Sequence, residues 1–393
     1  MGNIIKKILV TFFRVLPLQD NIILESHPDF SDNAWAFYQY LLSRGFQERH
    51  RIYWALHYRG QEIPELPENV DTFYLNAGNF RDLWKRLRVL YSTRYIFDSN
   101  SYIKKRRKGQ VRIHLGHGML IKVTPDYHNA EEIGQLDGYV VTGDFWKQVL
   151  PDKIGIEQNK LLALGYPRED VLAPRVPGSV PSESRHRGRS GRFIFWLPTY
   201  RQHKKHVEDG LKPRFPYGMP AVETREELRA LDYAMKEAGM ILYFRPHPVQ
   251  ELAFIKQEKL EHIKIADDDF LREKGVTLYE WMAEADALIT DYSSVYYDFL
   301  LTTRPIGLTM VDREEYFRKY DCAFDNVAQY IKGCYIESSE DLLAFIETVA
   351  AGENPWQPEL AAQRELFHNQ WDGAASERLY EYMRNHWNFD KGI

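Results

Sequence analysis

Three strand-like segments in the second half of the sequence end in residues that can hold phosphoryl oxygens. In "DALITDYSSVYYDFLLTTRP" the apolar run Ala287–Thr290 reads as a buried strand that delivers Asp291 to its C-terminal end, and Ser293 and Ser294 then open a helix. Serine at a helix start satisfies free backbone N–H groups, and those donors together with the helix dipole favour an anion. A diphosphate fits such a place; an ordinary N-cap after a strand is the plainer reading of the same two serines. "YFRPHP" ends a second strand in Arg245 and His247, with Pro246 and Pro248 fixing the local backbone. A planar guanidinium suits phosphate oxygens, and an imidazole at His247 can donate to a departing one. "WLPTYR" brings Thr199 and Arg201 to a third strand end. The three together outweigh any one of them.

The first half carries proton-transfer chemistry. "VRIHLGHGMLIK" runs from a strand into a turn that holds His114, Gly116, His117, Gly118 and Lys122. Glycines on both sides of His117 let the backbone turn sharply and bring the ring close to a ligand, which makes His117 a candidate general base. His114 points to the opposite side of an extended strand and suits a core role. The His-x-x-His spacing offers no third ligand, so no metal site is assigned. The basic run "KKRRK" at 104–108 reads either as a solvated loop or as a partner for anionic headgroups or a pyrophosphate-linked acceptor.

These residues need a scaffold of strand ends, and the pattern supplies one. Apolar strand-like runs such as "NIILES", "RIYWAL", "RYIFDS" and "GYVVTG" alternate with helical segments such as "DNAWAFYQYLLSRG" and "NFRDLWKRLRVLYST". The alternation stops at residues 174–191, rich in Pro, Gly, Ser and Arg, and restarts at "RFIFWLPT". That predicts an α/β chain of two Rossmann-like domains facing a cleft, at 17–173 and 192–355, joined by a linker at 174–191. At 393 residues the chain suits two domains of ordinary size. Ahead of them, Ile4, Ile5, Ile8, Leu9, Phe12, Phe13 and Leu16 recur at helical spacing opposite Lys6, Lys7, Thr11 and Arg14. Residues 1–16 therefore read as a basic amphipathic helix, either docked on its own domain or lying in a membrane interface; the large apolar face favours the interface. A net charge of -5 gives no support to nucleic-acid binding. Two cysteines form no ligand or disulfide pattern, so a reducing, cytoplasmic compartment is expected. The aromatic share of 14% fits an aromatic-rich core as readily as carbohydrate contact.

Taken together, the motifs resemble those of the CDP-glycerol glycerophosphotransferase family of teichoic-acid and capsule synthesis, which has the GT-B fold. "HLGHGMLIK" is similar to the family's W-H-G-T-P-L-K, "LGYPRED" to G-x-P-R-x-D, "WLPTYR" to P-T-x-R, and "RPHP" to K/R-x-H-P. "ITDYSSVYYDFLLTTRPI" is close to its most specific block, "ESHPDFSDNAWAFYQYL" looks like its opening strand and helix, and "WDGAASERLYEYM" is similar to its C-terminal helix. Leu115 and Gly116 stand near where the family has Trp, and Met119–Leu120 replace Thr-Pro, so the acceptor side departs from the pattern. The resemblance implies an N-terminal acceptor domain, a C-terminal CDP-donor domain, and a helix within 356–393 that crosses back to the first domain. It implies transfer of glycerol phosphate from CDP-glycerol to a hydroxyl of a lipid-linked saccharide or polymer, at the inner face of the membrane, with CMP released and no cofactor beyond the donor. His117 and His247 would be catalytic; Arg201, Arg245, Ser293 and Ser294 would hold the donor phosphates; Asp291 would orient them and Lys122 would serve the acceptor side. The rival readings are a CDP-ribitol enzyme, a nucleotide-sugar glycosyltransferase, and a non-enzymatic carbohydrate-binding protein.

Overall fold

The computed structural model describes residues 2–100, 103–123, 130–173, 191–199, 215–246, 258–324 and 326–390, with backbone alone at 2–8, 130 and 319. Most of the expected linker lies outside them. The chain forms two compact units: unit 1 is Met1–Met119, Pro125–Asp170 and His368–Ile393, and unit 2 is Leu120–Thr124 and Val171–Phe367.

Unit 1 is built on strands β1 (Gln19–Glu25), β2 (Ile52–Leu56), β3 (Val70–Tyr74), β4 (Thr93–Asp98), β5 (Val111–His114), β7 (Gly138–Val141) and β8 (Leu161–Ala163). They lie in the order β3-β2-β1-β4-β5-β7-β8 with every neighbouring pair parallel. Strands of a sheet covered on both faces are apolar throughout, and β2, with Ile52, Tyr53, Trp54, Ala55 and Leu56 all buried, is such a strand. Helices α1 (Gly2–Val15), α2 (Asp32–Ser43) and α3 (Phe80–Ser92) belong to this unit. Gly45, at φ 65°, lets the chain turn just beyond the end of α2. The segment from His368 onward is part of unit 1, and its helix Ala375–Trp387 packs on α2 through Tyr380 and Tyr40. Asp170 accepts hydrogen bonds from Ala375 N (2.7 Å) and Ser376 N (3.0 Å) at the start of that helix.

Of the two readings of the first helix, docking on its own unit accounts for Leu9 and Phe13, which are buried in one core with Leu87 and Leu90 of α3. Phe12 and Val15 remain exposed. The basic run is also partly used inside the unit. Lys104 pairs with Glu131 and Lys105 with Asp137, while Arg107 donates to Leu16 O and Tyr91 O at the ends of α1 and α3.

Unit 2 repeats the plan with β9 (Phe193–Trp196), β10 (Ile241–Phe244), β11 (Ile263–Ile265), β12 (Ala287–Thr290), β13 (Ile306–Leu308) and β15 (Cys334–Tyr335). The order is β11-β10-β9-β12-β13-β15, again parallel. A separate two-stranded ribbon pairs β6 (Lys122–Val123) with β14 (Asp321–Cys322), antiparallel. In each sheet the unit's first strand lies beside its fourth, β1 against β4 and β9 against β12. Ligand crevices in open α/β sheets form at that reversal, beyond the strand C-termini. The α/β class and the two Rossmann-like units expected from the alternation are what the chain forms.

Candidate active site

In unit 1 the turn after β5 is shaped by a glycine that admits no substitute. Gly116 has φ 75°, and a Cβ there would meet the Tyr166 ring at 2.5–2.7 Å. The turn presents His117 with its side chain 54% exposed. Asn33, from the first turn of α2, holds the turn from below by donating to Leu115 O (3.1 Å) and Gly116 O (3.0 Å).

Beside it, Asp32 opens α2 with φ 60°, an unusual value for a non-glycine residue, and its side chain is only 7% exposed. One carboxylate oxygen meets His117 Nδ1 at 2.6 Å and the other meets Arg168 Nη1 at 2.5 Å. Arg168 also donates to His117 O (3.1 Å), and its own backbone N–H donates to Asn33 Oδ1. Burial by itself would raise the Asp32 carboxyl, but the Arg168 guanidinium and then His117 outweigh it and hold the group well below the usual carboxylate range. A carboxylate at Nδ1 fixes the tautomer with the proton on Nδ1, so Nε2 carries the lone pair that can accept a proton. The arrangement has the geometry that a general base and its orienting carboxylate require, with the Arg168 guanidinium favouring the ionised form of Asp32.

Below it, at the ends of β4 and β5, Asp98 meets Arg112 Nε at 2.6 Å and His114 Nδ1 at 2.8 Å. Asp98 and Arg112 are fully buried. Burial raises the Asp98 carboxyl, while Arg112 and His114 bring it below its ordinary value. His114 thus has the structural role its strand position indicated.

In unit 2 the C-terminal ends of β10, β9 and β12 are adjacent, so Arg245, Thr199 and the turn at Asp291–Ser294 share one sheet edge. Asp291 is fully buried and accepts from Thr199 N (2.8 and 3.0 Å) and Tyr292 N (2.6 Å), so its carboxylate is directed at backbone amides. Thr290 Oγ1 donates to Leu197 O at 2.8 Å, which joins the exit from β9 to the turn after β12 at the sheet's reversal point. Ser293 and Ser294 are half-buried; Ser294 is the N-cap position of the helix Val295–Leu300, with no side-chain cap bond, and Ser293 Oγ accepts from Val295 N at 3.4 Å. That helix is six residues long, too short for much macrodipole, so an anion at this turn would rely on hydroxyl and amide donors.

Arg245 donates to Ala266 O (2.9 Å) and pairs with the exposed Asp268 at 2.5 Å. Lys122 follows His117 by five residues, yet it lies in unit 2, on the ribbon strand β6. Its ammonium lies 5.6 Å from the Tyr316 ring centroid and 5.3 Å from that of Tyr320. Tyr316 stacks on Tyr292 at 3.8 Å, and Tyr292 O–H donates to Asp312, which brings Lys122 toward the Asp291–Ser294 turn. Arg201 and His247 lie outside the described residues.

Two residues of this arrangement, Asp32 and Arg168, carry no role in the sequence reading. Both sit in segments that resembled family motifs, "SDN" and "LGYPRED", which was the available signal. Among the described residues no group of three or more His, Cys, Asp or Glu could hold a metal ion.

Curated relatives include the teichoic acid glycerol-phosphate primase of Bacillus subtilis (strain 168), 23% identical over 356 residues, with 82% of each chain covered. They also include the teichoic acid ribitol-phosphate primase of Bacillus spizizenii, 22% identical over 58% of this chain and 54% of that one. Among solved structures, the wall teichoic acid polymerase TagF with CDPG superposes with a TM-score of 0.72 at 16% identity, covering 98% of this chain and 95% of that one. A UDP-N-acetylglucosamine 2-epimerase of Listeria monocytogenes shares the fold more distantly, with a TM-score of 0.53 at 11% identity and 94% and 97% of the two chains covered. The model of the CDP-glycerol:poly(glycerophosphate) glycerophosphotransferase family matches residues 8–385. The match spans both units, and the chain belongs to that family of transferases.

Proposed function

We propose that this enzyme transfers glycerol phosphate from CDP-glycerol to a hydroxyl of a lipid-linked or polymeric saccharide, releasing CMP, at the cytoplasmic face of the membrane. The observation that carries the reading is the Asp32–His117 pair, a half-exposed imidazole oriented by a buried carboxylate, in a chain of this family. His117 Nε2 takes the proton of the acceptor hydroxyl as its oxygen attacks the glycerol-bearing phosphorus. The bond from that phosphorus to the bridging oxygen breaks, and the electron pair leaves on CMP. Little covalent work falls to the protein in such a step; positioning and charge stabilisation do most of it. Ser293 and Ser294, with Arg245, Arg201 and His247, hold the diphosphate, His247 donating to the departing oxygen. Arg245 would exchange its exposed partner Asp268 for a phosphate oxygen. Asp291 acts indirectly, by holding the Thr199 and Tyr292 amides in place. Lys122 stands near that turn and is better read as a donor-side cation than an acceptor-side one.

Kinetic comparison of His117→Ala and His247→Ala tests the assignment. Each should lower CMP release from CDP-glycerol by at least about a hundredfold, the scale of general acid–base groups. Transfer that persists in both variants would refute the two catalytic roles. The ribitol-phosphate relatives, as similar as several of the glycerol-phosphate ones, make CDP-ribitol the second donor to try.

A further inference from the structure

The C-terminal ends of β1, β2 and β4 carry a cluster that the transfer step does not use. Glu25 closes β1 and is fully buried. Its Oε1 accepts from His57 Nε2 at 2.8 Å, just past β2, and its Oε2 accepts from Ser99 N (3.2 Å) and Asn100 N (3.1 Å), just past β4. A carboxylate only accepts, so the proton at the imidazole contact is on His57 Nε2. One buried group thus ties three strand exits together, among them the β1–β4 pair where the sheet reverses and ligand crevices form. Asp29 ties two of the same loops a second time, accepting from His57 N (3.0 Å) and Gln61 Nε2 (2.6 Å).

The side chain that this framework presents is Tyr58, which is 53% exposed. Its hydroxyl meets His27 Nε2 at 2.7 Å, and the His27 ring lies 5.5 Å from the Tyr58 ring and 5.2 Å, edge-on, from that of His57. Asn100 Oδ1 accepts from His27 N at 2.9 Å, and Ser99 Oγ is buried with no hydrogen-bond partner. An exposed aromatic face beside imidazole, amide and hydroxyl groups suits a sugar, whose C–H face packs on the ring while its hydroxyls bond to the rim. The charge balance selects a neutral sugar. Two carboxylates, Glu25 and Asp29, stand in the cluster, and the neighbouring cation, Arg59, is committed to Asp82 and the Tyr74 ring.

The cluster is built into the same loop as the partner of His117. Residues 26–31 lead from Glu25 straight into Asp32, braced by Ser26 Oγ, which donates to Pro28 O (2.8 Å) and accepts from Ser31 N (3.0 Å). Along the sheet edge, β2 and β5 are three strand spacings apart, roughly 14 Å, which is longer than one sugar ring. We propose that Tyr58 is a specificity-determining platform for a neutral sugar ring of the acceptor, at least one ring away from the hydroxyl that His117 deprotonates. Glu25, His27 and His57 are its positioning residues. This names the acceptor's chemistry within the proposed function and rests on that reading.

Steady-state transfer from CDP-glycerol to octyl glycosides of neutral disaccharides and of their single sugars tests it. In Tyr58→Ala the KM for the disaccharide should rise about tenfold, while kcat and the KM for CDP-glycerol stay within about twofold, the pattern of lost acceptor binding. The single sugar does not reach the platform, so its KM should change by less than about twofold. Tyr58→Phe keeps the ring and should recover most of the loss; Tyr58→Leu serves as a second variant should alanine disturb the loop. A uronic acid in place of the distal ring should bind less tightly than the neutral sugar, and tighter binding would overturn the neutral class. Saturation-transfer NMR of the disaccharide without CDP-glycerol reads the platform apart from turnover: the distal ring should take up saturation from the wild type and lose it in Tyr58→Ala. Equal KM and equal saturation in the two proteins would overturn the proposal. Saturation that depends on Tyr58 without any CMP release would sink the transfer reading and leave the platform standing; CMP release with the same disaccharide KM in both proteins would do the reverse.

Discussion

Asp32 gives His117 both an orientation and a charge partner, and the two effects have separate signatures. Asp32→Asn keeps the size and one hydrogen bond but can hold the wrong tautomer, so kcat/KM should fall by about 10²–10³-fold with KM for CDP-glycerol little changed. Steady-state kinetics with donor varied at saturating acceptor checks the split. The same carboxyl also couples stability to pH. Its folded pKa is depressed, so its contribution is present above the unfolded value near pH 3.9 and is lost as pH falls through the folded value. Between about pH 5 and pH 2 the wild type should therefore lose more stability than Asp32→Asn, as read by urea midpoints across that range. Arg168 belongs to the same unit of charge, and its removal should raise the Asp32 carboxyl and weaken both effects together. None of this was legible from spacing. Asp32 lies 85 residues from His117 and 136 from Arg168, so only the fold brings them together.

The elements themselves were easier to read, because a parallel sheet covered on both faces needs unbroken apolar runs and the chain shows them plainly. Other features depend on long-range pairing that short-range spacing does not display. Lys122 sits close to His117 in sequence, but the chain leaves the Gly116–Gly118 turn to pair β6 with β14, a ribbon of two residues a side that no periodicity announces. The "SSVYYDFLLTT" segment reads as a full helix, and the structure ends it at Leu300, short enough to weaken the dipole argument for an anion. The apolar stripe of α1 could not tell a protein face from a lipid face, since both reward the same residues; Leu9 and Phe13 took the protein. Two substitutions test how the elements support the site. Gly116→Ala meets both a strained, left-handed φ and the Tyr166 ring, and should cost about 1–3 kcal/mol and displace His117, visible as lost activity below the melting transition. Arg112→Met strands the buried Asp98 charge and should cost about 3–5 kcal/mol in chemical denaturation.

At the scale of the molecule, fold and function separate. The same two-unit α/β plan is shared with an epimerase at a TM-score of 0.53, so architecture alone does not choose a reaction. What points to a transferase is the family match, which runs through both units; unit 1 holds the oriented imidazole, and unit 2 separately holds the serine turn and the buried Asp291. A glycosyltransferase would consume a nucleotide sugar and release a nucleoside diphosphate; a carbohydrate-binding protein would consume nothing. The most direct measurement is mass analysis of acceptor and nucleotide after incubation of the purified chain with CDP-glycerol and a lipid-linked saccharide. The account predicts an acceptor heavier by glycerol phosphate units, with one CMP formed for each unit added, and loss of both products in His117→Ala. Intact CDP-glycerol alongside an unchanged acceptor, or the same yield from His117→Ala, would contradict it.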